Sequence, residues 1–137
     1  MMADIDNTLE DWKRRVDEKT KKVEDGLDQG LLQASYFALQ KALANAQERI
    51  YSQPIPKYKN GNDMYKRTGL YKGNMSNGMS PDKKHSSMIY NTVPYAKSLE
   101  YGNSRGMRGK NIMGDAVFKN GEDILKIIKE QIANSTK

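Results

Sequence analysis

Residues 27–50 read LDQGLLQASYFALQKALANAQERI, and this stretch decides the fold class. Leu27, Leu31, Ala34, Ala38, Ala42, Ala46 and Ile50 fall on one face of a helix, and Leu32, Leu39 and Leu43 widen the apolar stripe. Alanine dominates the second half, so a neighbouring element can approach that face closely. Pro54 and Pro56 end the segment, because proline lacks the amide hydrogen that a continuing helix needs. Upstream, Asp6 or Asn7 is a candidate helix cap, and Ile5, Leu9, Trp12, Val16 and Val23 recur at spacings of four, three, four and seven. That seam has coiled-coil character over less than three heptads. Gly26 and Gly30 separate the two stretches, and each costs a helix about 1 kcal/mol against alanine. The pattern therefore predicts two helices, or one long helix jointed between Asp25 and Gly30.

Downstream, residues 57–65 (KYKNGNDMY) have loop composition. Leu70–Ser80 and Ser86–Thr92 are the strand candidates, joined by a turn at Ser80-Pro81-Asp82-Lys83. Pro94 opens a short helix, YAKSLEY, that Gly102 closes. Asn103–Lys110 (NSRGMRGK) reads as a mobile loop with nothing to contribute to a core. A last helix is predicted over Glu122–Ala133, with Ile124, Leu125, Ile127, Ile128 and Ile132 on its buried face. The expected architecture is an α+β fold, with a long N-terminal helical region and a C-terminal helix packed on a small antiparallel sheet. By length it is one domain over residues 1–137: a helical region at 1–53, a basic strand and loop region at 57–110 with its short helix at 94–101, and a C-terminal helical segment at 111–137. Leu31, Leu39, Leu43, Ile50, Ile89, Tyr95, Leu99, Ile124 and Ile128 are the expected core.

Composition bounds the function. The 137 residues are 36% hydrophobic and 29% charged, with a mean hydropathy of −0.87, which describes a very soluble chain or one with long exposed segments. No run approaches the roughly 18 apolar residues of a membrane span, and the acidic N-terminus lacks the order of a secretory signal. Without cysteine there is neither a disulfide framework nor thiolate chemistry, which suits a reducing cytoplasm. The net charge of +6 is unevenly placed. From Asp4 to Asp28 nine acidic residues face six basic ones, whereas Lys57 to Lys110 holds eleven basic residues, Lys66 among them, against Asp63, Asp82 and Glu100. Such asymmetry points to a polyanion, an acidic partner or a solvated basic face.

No catalytic constellation is present. His85 is the one histidine and sits in a polar turn beside Lys83 and Lys84, which reads as a solvent-exposed position. The pairs Glu10–Asp11 and Glu122–Asp123 read as helix-start acids that favour the macrodipole. The glycines around Arg105 and Arg108 do not make a phosphate cradle, since Gly109-Lys110-Asn111 lacks the Ser or Thr that follows the lysine of a P-loop. No catalytic residue, metal ligand or cofactor is assigned. Tyr58, Tyr65, Tyr71, Tyr90, Tyr95 and Tyr101 are interleaved with lysine, so stacking on bases in a basic groove is an alternative to filling the edge of a core.

The segments after residue 65 carry a resemblance. Arg67-Thr68-Gly69-Leu70, then Tyr95-Ala96-Lys97-Ser98-Leu99-Glu100-Tyr101-Gly102, then Asn111-Ile112-Met113-Gly114-Asp115-Ala116 and a terminal helix follow the order of a known family. That order resembles the head–tail joining, or tail-completion, proteins of long-tailed bacteriophages. In that family the stretches read Thr-Gly-x-Leu, Tyr-Ala-x-x-x-Glu-Tyr/Phe-Gly and Pro-Phe-Leu-x-Pro-Ala; both prolines and the phenylalanine of the last are absent here. The resemblance implies a non-catalytic virion protein of the neck, assembled in the host cytoplasm into a ring, hexameric in number, between head connector and tail tube. The partners implied are further copies of itself, the connector or stopper protein, the tail tube or its terminator, and DNA passing through the lumen, with no membrane. A tail terminator that caps the tube is the alternative within virion biology, and a small basic nucleic-acid-binding protein is the alternative outside it. The partner surface expected from this resemblance is Glu100, Tyr101, Gly102, Arg105, Arg108 and Lys110.

Overall fold

The shallow alanine face of the N-terminal region becomes the floor on which the rest of the chain is laid. The computed structural model describes residues 2–65 and 67–137, with side chains from Thr8 onward, so the Asp6/Asn7 cap, the Ile5 side chain and Lys66 lie outside the described residues. A single helix, α1 (Met2–Ala46), runs without a break and ends in a π-helical turn, Gln47–Tyr51. After it come α2 (Leu70–Gly73), β1 (Met75–Met79), β2 (Ser87–Asn91), α3 (Ala96–Tyr101), α4 (Ile112–Phe118) and α5 (Gly121–Ser135). The fold is α+β, and its sheet is the antiparallel pair β1–β2, with Met75 opposite Asn91 and Met79 opposite Ser87.

The predicted joint at Gly26 and Gly30 is absent. Both glycines are buried where α5 crosses α1 antiparallel. A Cβ at Gly30 would stand 2.8 Å from the Ile128 Cα, and one at Gly26 would stand 2.9 Å from the Ile132 Cα. The Ser135 hydroxyl also donates to the Lys22 carbonyl at 2.9 Å. The glycines therefore bring two backbones together, and the packing they permit offsets their propensity cost. Gly26, Gly30, Ala34, Ala38, Ala42, Ala46 and Ile50 follow one another every four residues and all are buried. At 3.6 residues per turn such a row turns about 40° per step around the helix. Successive elements accordingly take successive sides of α1: α5 over the glycines, the hairpin next, and α4 near Asn45, whose amide donates to the Ile112 carbonyl at 3.0 Å. The hairpin is tied on by the Asn77 amide, which donates to the buried Ser35 hydroxyl at 2.9 Å.

The core gathers Leu39, Ala42, Ala46 and Ile50 of the first helix with Tyr65, Tyr71, Met75, Val93, Ala96, Leu99, Met107, Ile112 and Ala116. Of the core expected from sequence, Leu39, Ile50 and Leu99 are buried, while Leu31, Leu43, Ile89, Tyr95, Ile124 and Ile128 are half-buried. Several of these line a narrow slot of about 100 Å³ between α1, β2 and α5. The last helix is longer than predicted and has no fully buried residue; Leu125 is exposed. The first strand is shorter than predicted, because Leu70–Gly73 turns as a helix that buries Tyr71. The second strand and the YAKSLEY helix lie where expected, and α4 is an added element within the C-terminal helical segment.

His85 is not a free turn residue. Its Nδ1 lies 2.8 Å from Asp28 Oδ1, with the ring three-quarters covered, so the hairpin loop is clipped to α1. Glu10 and Asp11 lie inside α1 and not at its start, whereas Glu122 and Asp123 occupy the first turn of α5 as predicted.

Gly30→Ala tests the contact reading. In an exposed helix this change stabilises, but here it should cost about 1–3 kcal/mol through overpacking against Ile128. A urea midpoint equal to or above that of the parent would remove the close-contact role.

Candidate functional site

The stretch Tyr95–Gly102 and the loop that follows it form the best-defined polar structure on the molecule. Helix α3 is too short to stand alone, so its residues must be held from outside. Ala96 and Leu99 face the core and are buried. The Tyr95 hydroxyl lies 3.3 Å from the Thr68 hydroxyl, and the Thr68 carbonyl accepts from the Tyr51 hydroxyl at 2.7 Å. Thr68 Oγ1 also accepts from the Leu70 amide, starting α2. Thr68-Gly69-Leu70 and Tyr95–Gly102, 25 residues apart in sequence, thus meet in space.

Glu100 is 4% exposed and is a staple, not an interface residue. Its Oε1 accepts from the Met113 amide at 2.8 Å and its Oε2 from the Gly114 amide at 2.9 Å, so the carboxylate caps the first turn of α4. A neighbouring phenol, Tyr71, is buried without a hydrogen-bond partner for its hydroxyl; that burial, with the Glu100 charge adding to it, holds its pKa far above the usual tyrosine range. Arg49, from the π-helical turn, completes the frame. Its Nη1 donates to the Lys110 carbonyl at 2.9 Å, the Asn111 carbonyl at 3.0 Å and Asp115 Oδ2 at 2.7 Å. The guanidinium, with Lys119 as a second partner, holds the Asp115 carboxyl below the usual carboxylate range.

Gly102 leaves α3 at φ +84°, and a Cβ there would meet the Met107 carbonyl oxygen at 2.5 Å, so only glycine fits. The segment Asn103–Lys110 is not the coreless mobile arm expected from its composition. Asn103 Oδ1 accepts from the amides of Arg105 and Met107, Gly102 bridges to Arg108, and the Lys110 amide donates to the Leu99 carbonyl at 2.7 Å. Met107 is 4% exposed and belongs to the core, anchoring the loop from below. The Arg105 guanidinium lies over the Tyr58 ring at 4.3 Å, and the Asn103 amide donates to the Tyr58 hydroxyl at 2.8 Å.

Of the six residues expected at a partner surface, Arg105, Arg108 and Tyr101 are exposed, the last at 77%. Lys110 and Gly102 are half-covered, and Glu100 is inside. The tyrosines do not make a base-stacking groove: Tyr65 and Tyr71 are in the core and Tyr58 lies beneath Arg105, which leaves Tyr90 and Tyr101 exposed. Among the described residues no three His, Asp or Glu side chains gather as a metal-binding group, and no helix is long and apolar enough to cross a membrane. No family model, curated protein or solved structure matches the chain.

Two measurements probe this frame. Glu100→Ala leaves the Met113 and Gly114 amides without their acceptor and should cost roughly 1–3 kcal/mol of unfolding free energy. For Asp115 the folded-state pKa is depressed, so its stabilising contribution is present above the unfolded value and is lost as pH falls through the folded one. Asp115→Asn should flatten the fall of the urea midpoint with acid below about pH 4; an unchanged acid slope would show that the Arg49 contact contributes nothing.

Proposed function

We propose that this chain is a non-catalytic structural subunit of the neck of a long-tailed phage, joining the tail to the DNA-filled head as a ring between connector and tail tube. What supports the reading is the meeting of Thr68-Gly69-Leu70 with Tyr95–Gly102 around a purely structural job. Thr68, Tyr95, Ala96, Leu99, Glu100 and Gly102 are used for packing, capping or turning, while Leu70, Lys97 and Tyr101 stay exposed, and the outcome is a braced loop that carries Arg105 and Arg108 outward. A rigid projecting contact is what a joining protein requires. Bidentate pairing of those guanidiniums with carboxylates on an adjoining ring is the contact chemistry. The same surface, presented to the tube end alone, is the tail-terminator alternative.

Labelled protein should locate to the head–tail junction of intact virions. Arg105→Glu combined with Arg108→Glu should yield lysates with filled heads and complete tails that fail to join, while the purified variant keeps its melting temperature. Label on the free tube end of unjoined tails would favour the terminator. Joined, infectious particles from the double variant, with weakened duplex binding and a reduced salt slope, would replace the neck reading with nucleic-acid binding.

A further inference from the structure

The two-stranded sheet has one open edge. Strand β1 packs against β2 and α1, and β2 is bordered by Val117, Ile124 and Ile128 across the narrow slot. The Ser80 amide donates to the Ser86 carbonyl at 2.8 Å, which sets the alternation of the ladder. Gly78 and Met88, and Ser76 and Tyr90, are therefore the pairs that exchange main-chain bonds. The N–H and C=O groups of Asn77 and Met79 point the other way, out of the sheet's edge, and among the described residues they have no hydrogen-bond partner. The strand Met-Ser-Asn-Gly-Met carries neither a charge nor a proline, the usual devices that keep other strands off an edge.

Side chains directly opposite one another on paired strands point to the same face of a sheet. Asn77 reaches the Ser35 hydroxyl of α1, and Met79, two residues on, lies on the same face. A strand added to β1 therefore aims two of its side chains, those opposite Asn77 and Met79, at α1. A recess lies beside each position. The first joins Asn77 to Leu32, Gln33 and Tyr36 and runs on across α1 to Ile127; Leu32 is 45% and Tyr36 59% exposed. The second is formed by Met79 with Leu32, Gln29, Asp25 and Asp28, and no lysine or arginine lines it. Asp28 holds His85 through one oxygen, and Asp25 is in no ion pair among the described residues. Lys83 and Lys84, in the turn beyond β1, pair with neither carboxylate.

We propose that this edge docks an extended segment of a partner protein, added antiparallel to β1, with a lysine or arginine opposite Met79 and an apolar side chain opposite Asn77. In chain direction the segment reads basic, any residue, apolar. Main-chain bonds to Asn77 and Met79 hold it, Asp25 and Asp28 take the cation, and the apolar side chain covers Leu32 and Tyr36. Antiparallel addition continues the sense of the β1–β2 pair and is the more stable ladder. A second copy does not fit the same chemistry. Pairing β1 with β1 about Asn77 puts Met75 opposite Met79, which leaves the carboxylates unmatched, and Met75 is already buried in its own core. The site uses none of the residues of the Asn103–Lys110 loop and stands apart from the neck reading.

The peptide Thr-Thr-Lys-Thr-Leu-Thr-Thr is a direct probe, titrated into isotope-labelled full-length protein. The largest amide shifts should fall at Asn77 and Met79. A nitroxide on the peptide's N-terminus should broaden Ser80 before Met75; the reverse order would overturn the antiparallel alignment. Met79→Pro removes an outward amide donor and leaves the β1–β2 bonds in place, so it should keep the melting temperature and weaken the peptide about tenfold. Asp25→Lys, at an exposed position, should weaken it about fivefold, and a peptide with glutamate in place of lysine should then bind that variant better than the lysine peptide does. No shift at millimolar peptide, undiminished binding by Met79→Pro, or shifts centred on the Arg105 loop would each overturn the proposal. A dimer that Met79→Pro dissolves, with no response to the peptide, would give the edge to a second copy and remove the partner segment.

Discussion

Close approach of backbones along one row of small residues is the constraint on which the rest of this structure depends. Gly26, Gly30, Ala34, Ala38, Ala42 and Ala46 strip one line of α1 of bulk, and every later element touches that line or something laid upon it. A chain with 36% hydrophobic residues cannot build a thick core. It gains packing by bringing main chains near one another instead, so that modest side chains such as Ile112 and Ala116 are enough to close the interior. Because the row turns around the helix, the added elements are spread along and around α1 and do not stack in a single layer.

On this floor the polar staples decide the local geometry. Glu100, Arg49 and Asn103 each satisfy main-chain groups that no helix or sheet would satisfy, at the start of α4, in the segment leading into it and in the loop before that segment. None is exposed to do the work for which a charged or amide side chain in a basic region is first considered. The arginine-bearing loop gains its shape from them, and from the Met107 side chain it sends down into the core.

Much of the fold was legible: the helical face of residues 27–50, the hairpin, the YAKSLEY helix with its glycine exit and the terminal helix all follow from periodicity and turn chemistry. What was not legible depended on contacts between distant residues. Propensity assigns Gly26 and Gly30 a penalty, and only the docking of Ile128 and Ile132 reverses its meaning. Glu100 in Tyr-Ala-x-x-x-Glu-Tyr-Gly looks like a surface acid until α4 is placed against it. Arg49 gave no local signal at all, since its acceptors lie more than 60 residues away. The loop at Asn103 did carry a readable sign: asparagine followed three residues later by glycine is a type I turn signature, and the adjacent methionine is the kind of side chain that fills an irregular gap. Composition outweighed that sign. For the site, the resemblance pointed to Tyr95–Lys110, and the structural roles of Glu100, Gly102 and Met107 within it follow from packing.

The docking of α5 has a consequence for the order in which the molecule opens. This helix has no fully buried side chain and borders the slot beside β2, and it holds α1 through half-buried Ile124, Ile128 and Ile132, the close approach over two glycines and the Ser135 clasp. A segment with so little buried apolar area lies at the low end of the local-opening scale. Its amides are expected to exchange with solvent ahead of those around Ala42 and Ile112, which are fully buried.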